Sequence, residues 1–286
     1  MDPAAPEDVY SPYGFGGFFS TFAPGQAPAL QRQWVDFFQR QGICTAYIMQ
    51  HPAAEFAQGL WGEETVLSPL CVYVTDLSLE EDALWSSLDK IHRYEIRRLA
   101  RETKVQSASD TPAVLDALLK HYPNTMQAVG AAAVYHFSAE TLRRFASLPG
   151  ALLLGAEVQG QVEAVALFLR SGANGQGSWG EYFLSASSPA GRHATRLLIW
   201  EGILRLRTDG ARWLNLGGGA AVNDGLDAFQ RRFGGQAVFP HVLKQILIPE
   251  QYAAVCQKYH VDPDPSGYFP PYWRQRNRAT SPSSTD

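Results

Sequence analysis

The sequence predicts an α/β fold of the α+β kind, in which mixed, mostly antiparallel sheets are flanked by helices. Three observations carry this. Residues 152–158 and 163–169 are apolar runs separated by Gln159-Gly160, which reads as a β-hairpin. Stretches with apolar residues every three or four positions, such as Leu30, Trp34, Phe37 and Phe38, alternate with such runs and read as amphipathic helices. Trp213, Leu214 and Leu216 lead into Gly217-Gly218-Gly219, the pattern of a buried strand giving way to a tight turn.

At 286 residues the chain can hold one large domain or two modest ones. Apolar residues at 45 % and charged residues at 18 % describe a globular protein. A net charge of −4 gives no overall attraction to nucleic acid, so any such binding must come from a local patch. Cys44, Cys71 and Cys256 are scattered, with no C-x-x-C, which argues against a disulfide scaffold or a zinc site and fits a cytoplasmic location. No run of about 18 apolar residues suggests a membrane span, and the acidic, proline-containing residues 1–10 do not read as a signal peptide.

Taken in order, residues 13–19 set aromatics among glycines, either an irregular loop plugging a core or a substrate-facing loop presented by Tyr13 and Phe15. A helix over 30–40 ends at Gly42, and strands follow at 43–49, 66–69 and 71–77. Asp76 stands at a strand's carboxyl end, where it could meet a ligand or serve its own turn. Ser78-x-x-Glu81 predicts a capped helix over 79–104. Lys90, Arg93, Arg97 and Arg101 step along that helix in a basic stripe that Arg98 widens. It is either a solvated face or a ridge for nucleic-acid phosphates. Residues 107–112 read as a linker, 112–121 and 139–147 as helices, the second capped by Ser138. The hairpin, a strand over 180–185, a helix over 190–207 and the strand to Asn215 follow. Leu226, Phe229 and Phe233 then make one apolar face of a short helix that Gly234-Gly235 ends. The apolar run 242–248 is expected to complete the sheet.

The residues Leu214-Asn215-Leu216-Gly217-Gly218-Gly219, then Asp224-Gly225-Leu226, then Phe229 through Phe233-Gly234, resemble the C-terminal signature of the Fem-like (peptidoglycan bridge-forming) branch of the GNAT superfamily, L-(N/D)-L-G-G-G, D-G-L and F-K-x-x-F-G. The resemblance extends upstream to Tyr13-Gly14-Phe15-Gly16-Gly17 and to Leu84-Trp85 through Arg97-Arg98-Leu99-Ala100. It implies tandem GNAT-like units, the first trimmed, with expected boundaries at 1–106 and 107–262 and a disordered tail over 263–286. It also implies transfer of an aminoacyl group from aminoacyl-tRNA, as co-substrate, to the amine of an acceptor, with no bound cofactor and no metal. The acceptor would be a cell-wall precursor or a peptide or nucleoside antibiotic intermediate.

The turn at Ser188-Pro189-Ala190-Gly191-Arg192 has one glycine where a coenzyme A pyrophosphate loop wants two, so acyl-CoA is the alternative donor. Arg192 and Arg196 add cations at this helix start. Tyr182 and Glu181 alternate on the preceding strand, so one of them should face the reaction channel. Tyr182 could donate to a developing oxyanion or simply fill the core. Asn215 offers an amide that does not titrate, and Gly217 and Gly218 allow close approach of a substrate. The family lysine is replaced by Gln230, which could still donate a hydrogen bond but carries no charge; Arg231 or Arg232 could supply a cation if the helix is turned, backbone N–H groups could act instead, or the protein would be a silent binding protein. Tyr182, Asn215, Gln230 and Arg231 are therefore the catalytic candidates.

Overall fold

The computed structural model describes residues 7–11, 14–17, 24–52, 65–171, 178–219 and 221–275. The chain forms two compact units, residues 1–69 with 239–286, and residues 70–238. The division therefore falls at 69/70 and 238/239 instead of the expected 106/107.

In the first unit, β1 (Glu7–Tyr10), β2 (Ile43–Met49), β11 (His241–Ile246) and β3 (Thr65–Leu67) lie in that order across a four-stranded sheet. Helix α1 (Ala27–Arg40) lays Leu30 and Trp34 on Ile48 and Leu243, and the Trp34 indole donates to Gln245 Oε1 at 2.8 Å. The run expected to close the second sheet is β11, and it lies here because its two antiparallel partners are β2 and β3. Helix α8 (Pro249–Lys258) and the segment after it form a second cluster around Cys44, Tyr252, Phe269 and Tyr272. The expected disorder from 263 is thus corrected as far as 275. Tyr272 and Trp273 both donate to Asp8, at 2.7 and 2.8 Å, and Lys244 Nζ is held by the carbonyls of residues 265–267. Aromatic anchors outweigh the Pro- and Ser-rich composition. Residues 276–286 lie outside the described residues.

The second unit is a seven-stranded sheet in the order β10-β4-β9-β8-β7-β6-β5, comprising β4 (Val72–Asp76), β5 (Lys104–Ser107), β6 (Ala151–Val158), β7 (Gln161–Arg170), β8 (Trp179–Ser187), β9 (Trp213–Asn215) and β10 (Gln236–Val238). Neighbours are antiparallel except β8 and β9. The β6–β7 hairpin turns at Gln159 and Gly160, both with positive φ, as a tight two-residue turn requires. One face carries α2 (Glu81–Ser87), α3 (Lys90–Glu102) and α6 (Thr195–Thr208), packed on Ala164, Ala166, Phe168 and Leu214. Phe168 lies so close under α6 that a Cβ at Gly202 would sit 2.2 Å from its ring. The other face carries α4 (Ala113–Ala128) and α5 (Ala139–Ala146), packed on Leu153, Val165, Leu167 and Leu184. Ser138 caps α5 by accepting from the Thr141 N–H, as its sequence implied.

The single helix expected over 79–104 is two. Ser78 Oγ is spent on Asp76 Oδ1 at 2.6 Å, so it does not cap the first helix, and the second starts afresh at Asp89, whose carboxylate accepts from Ile91 N at 2.8 Å. The break receives the end of α7 (Gly225–Arg231): Asp89 N donates to Arg232 O at 2.8 Å, and Gly234 approaches Ser87 so closely that a Cβ would sit 2.4 Å from its carbonyl oxygen.

Candidate functional site

The site is built where β8 and β9 part. They pair in parallel only from Trp179↔Trp213 to Glu181↔Asn215, after which β8 runs on to Ser187 while the other chain turns away. It turns because Leu216 N donates to Tyr73 O and Tyr73 N to Gly217 O, at 2.8 and 2.9 Å, which draws the glycine turn onto β4. Two glycines are demanded by geometry. Gly217 has φ +77°, and a Cβ on Gly218 would lie 2.0 Å from the Cys71 carbonyl oxygen. Among the described residues no strand pairs with β8 beyond Glu181 on this side, so the two strands open a fork.

Paired residues of a sheet share a face. Glu181 and Asn215 accordingly meet on one face, where Asn215 Nδ2 donates to Glu181 Oε2 at 2.9 Å and Asn215 Oδ1 accepts from Gly217 N at 2.9 Å. Asn215, 1 % exposed, thus ties β8, β9 and the turn together. Tyr182 faces the other way, onto the α3/α6 layer. Its ring packs beside Phe168 and its hydroxyl donates to Ser185 Oγ at 2.5 Å. Of the alternating pair, Glu181 therefore shares the face of Asn215, and Tyr182 lies on the opposite one.

On the Tyr182 face lies a cluster that sequence reasoning missed. The Tyr73 hydroxyl on β4 donates to Asp227 Oδ1 at 2.9 Å, with Cys71 Sγ 3.9 Å from the same oxygen. Burial first, then Cys71 and Asp227, push the Tyr73 hydroxyl well above its usual range, so it stays a donor. Asp227 is on α7, where its N–H is capped by Asp224 Oδ1 at 2.7 Å. One turn on stands Gln230, 2 % exposed, whose Oε1 has no hydrogen-bond partner. The only signal in the sequence was that spacing of three, which puts Asp227 on Gln230's side of the helix. Gln230 therefore faces inward and Arg231 is exposed, which removes Arg231 as an inward cation. His92 on α3 is 0 % exposed against Phe229 and Phe233, and burial followed by Arg196 and Arg232 lowers its pKa to about 4.

The basic residues divide into three groups. Arg93 donates to the carbonyls of Ser86 and Leu88, closing the end of α2, and Arg97 lies 5.0 Å over the Trp85 ring. Lys90 and Arg101 are exposed. Arg98, Arg192, Arg196 and Arg232 share a neighbourhood: Arg196 stacks on Phe229 at 5.7 Å, and burial, then Arg232, Arg192 and Arg98, lower its pKa. Glu95, bonded to Arg98 at 2.7 Å, is the acid among them, held below its usual range by that bond first. Gly191, the one glycine of the nearby turn, is there because its Cα presses on β7; a Cβ would sit 2.1 Å from the Glu163 carbonyl oxygen.

Of the remaining candidates, Asp76 serves its own turn through the N–H and hydroxyl of Ser78, at 2.9 and 2.6 Å. Phe15 is in the first unit, edge-on to His51 at 5.9 Å, and Tyr13 lies outside the described residues. Among the described residues no group of three or more His, Cys, Asp or Glu could hold a metal, and no helix is long and apolar enough to cross a membrane.

The sequence matches the family described as Acetyltransferase (GNAT) domain over residues 86–236, more than half of the chain. No curated protein matches it. Among solved structures, FemX is similar at 14 % identity and a TM-score of 0.65, covering 89 % of this chain and 84 % of that one. The C-terminal domain of a putative lysylphosphatidylglycerol synthetase from Agrobacterium fabrum is similar at 16 % identity and 0.58, covering 80 % and 78 %. L-PGS from Bacillus licheniformis is similar at 12 % identity and 0.52, covering 76 % and 73 %. With the β8/β9 fork, the matched span and these neighbours together, the chain belongs to the GNAT acetyltransferase family and carries the Fem-like form of its fold.

Proposed function

We propose that this acyltransferase moves an aminoacyl group from aminoacyl-tRNA to the amine of an acceptor, a peptide or nucleoside antibiotic intermediate or a cell-wall precursor, in the cytoplasm. The observation that carries the reading is the arginine neighbourhood of Arg98, Arg192, Arg196 and Arg232 on the α3/α6 side of the fork. Several guanidinium groups, on α3, at and before the start of α6 and just past the end of α7, suit a polyanion with many phosphates better than one pyrophosphate. The turn that would hold a pyrophosphate spends its single glycine on packing against β7. Likeness to FemX and to lysylphosphatidylglycerol synthetases, whose name carries an aminoacyl group, points the same way.

The chemistry needs no enzyme nucleophile. The amine attacks the ester carbonyl, a C–N bond forms as the C–O bond to the ribose breaks, and the proton lost by nitrogen ends on the leaving oxygen. The protein supplies placement, by holding nitrogen about 3 Å from the acyl carbon. Acyl-CoA is the second reading, favoured by the acetyltransferase description of the family.

Incubation with labelled aminoacyl-tRNA or labelled acetyl-CoA and a panel of amines separates the two. Transfer from the tRNA is expected, with rate and binding that fall steeply with salt and a shallower salt slope in an Arg98→Ala, Arg192→Ala double variant. Label moving from acetyl-CoA alone would end the tRNA reading.

A further inference from the structure

On the α7 side of the fork several oxygens lack a donor, while Arg196 Nε, over Phe229, is a buried donor without an acceptor among the described residues. Asp227, 6 % exposed, has one oxygen held by the Tyr73 hydroxyl, and among the described residues its other oxygen bonds to no side chain or backbone group. Gln230 Oε1, one turn away on the same helix face, is buried without a partner. Thr75 Oγ1, two residues along β4 from Tyr73 and so on the same strand face, is also buried without a partner. Leaving such groups unpaired in the interior is costly, because each has given up its water. The arrangement wants a ligand that brings donors.

Charge narrows the class. A carboxylate at the centre repels anions. A hard metal ion asks for more charged oxygens than this cluster holds, since among the described residues no three acidic, His or Cys side chains converge. A primary ammonium brings one positive charge and three N–H donors, which matches one carboxylate oxygen, one amide oxygen and one hydroxyl. Gln230 adds to the fit by being neutral, because a basic side chain there would fill the position itself.

We infer that Asp227, Gln230 and Thr75 form a binding site for a protonated primary amine beside the fork. Tyr73 is a positioning residue, holding the Asp227 carboxylate so that its second oxygen is presented. The site deepens the acyl-transfer reading and rests on it only for the owner of the ammonium group. That owner is either the aminoacyl donor, through its α-ammonium, or a second amine on the acceptor.

The probe is n-butylammonium, titrated into the ¹⁵N-labelled full chain while the backbone amides of residues 225–231, present in every variant, are followed by NMR, with tetramethylammonium as the cation lacking N–H donors. A saturable shift is expected with the first, at least fivefold weaker with the second. It is expected to be lost in Asp227→Asn and in Gln230→Lys, and to tighten severalfold in Gln230→Glu, a gain that misfolding cannot imitate. No saturable shift, or equal binding by wild type and Asp227→Asn, overturns the site and returns these oxygens to buried water. Alanine methyl ester and its N-acetyl form identify the owner. Tenfold tighter binding of the free ester than of butylammonium assigns the donor, and equal binding assigns the acceptor. Neither measurement needs tRNA or coenzyme A, so a failed site and a failed transfer reaction are seen separately.

Discussion

The two sides of the β8/β9 fork are built from similar residues and differ in how completely they are satisfied. On one side Asn215 uses both ends of its amide, to Glu181 and to Gly217 N. On the other, Asp227 has one oxygen bonded to Tyr73 and Gln230 Oε1 has no partner. A closed polar network specifies backbone geometry, whereas an open one retains the capacity to bind. The first side therefore holds the turn in place, and the second is where a ligand gains most.

The largest effect expected from breaking this comparison is in acid. His92 keeps a neutral ring in the folded chain, with its pKa at about 4 against 6.5 in the open chain. Between those values the unfolded chain binds more protons, so stability rises with pH there. It is lost as pH falls from 6.5 toward 4, by about 3 kcal/mol at most. Urea midpoints measured at pH 7, 5.5 and 4.5 should fall in that order for wild type and fall less in His92→Phe. Parallel decline in both proteins would place the acid sensitivity elsewhere.

Next comes the closed side. Asn215→Ala removes one hydrogen bond from Glu181 and frees the Gly217 N–H, and is expected to lower stability by about 2 kcal/mol, read as a drop in Tm together with lost activity. The smallest effect, and the sharpest contrast, is on the open side. Gln230→Met replaces an unpaired buried amide by an apolar chain of similar volume and should leave stability unchanged or raise it by about 1 kcal/mol. Loss of activity or amine binding in that stable variant separates function from folding; a loss of stability like that of Asn215→Ala would mean the two sides are equivalent.

Much of this was legible in the chain. Residues 43–49 form β2 as the apolar run implied, and Gln159-Gly160 turns the hairpin. Ser138 caps its helix, and the triple glycine bends sharply because Gly217 and Gly218 are required there. These succeed because propensity, capping and turn chemistry act over a few residues. The basic stripe was legible as a pattern but not as a surface, since Arg93 is spent on the Ser86 and Leu88 carbonyls and the exposed Arg97 lies over the Trp85 ring.

What the sequence by itself determined is the order of strands and helices and the places where glycine was obligatory, since each depends on local backbone preference. Only the tertiary structure decided that β4 lies beside β9, that β11 joins the other unit, and that Tyr73 meets Asp227 across 154 positions of chain. Those choices are made by which apolar faces and unpaired backbone edges find each other once the chain has collapsed. No window of neighbouring residues contains that information.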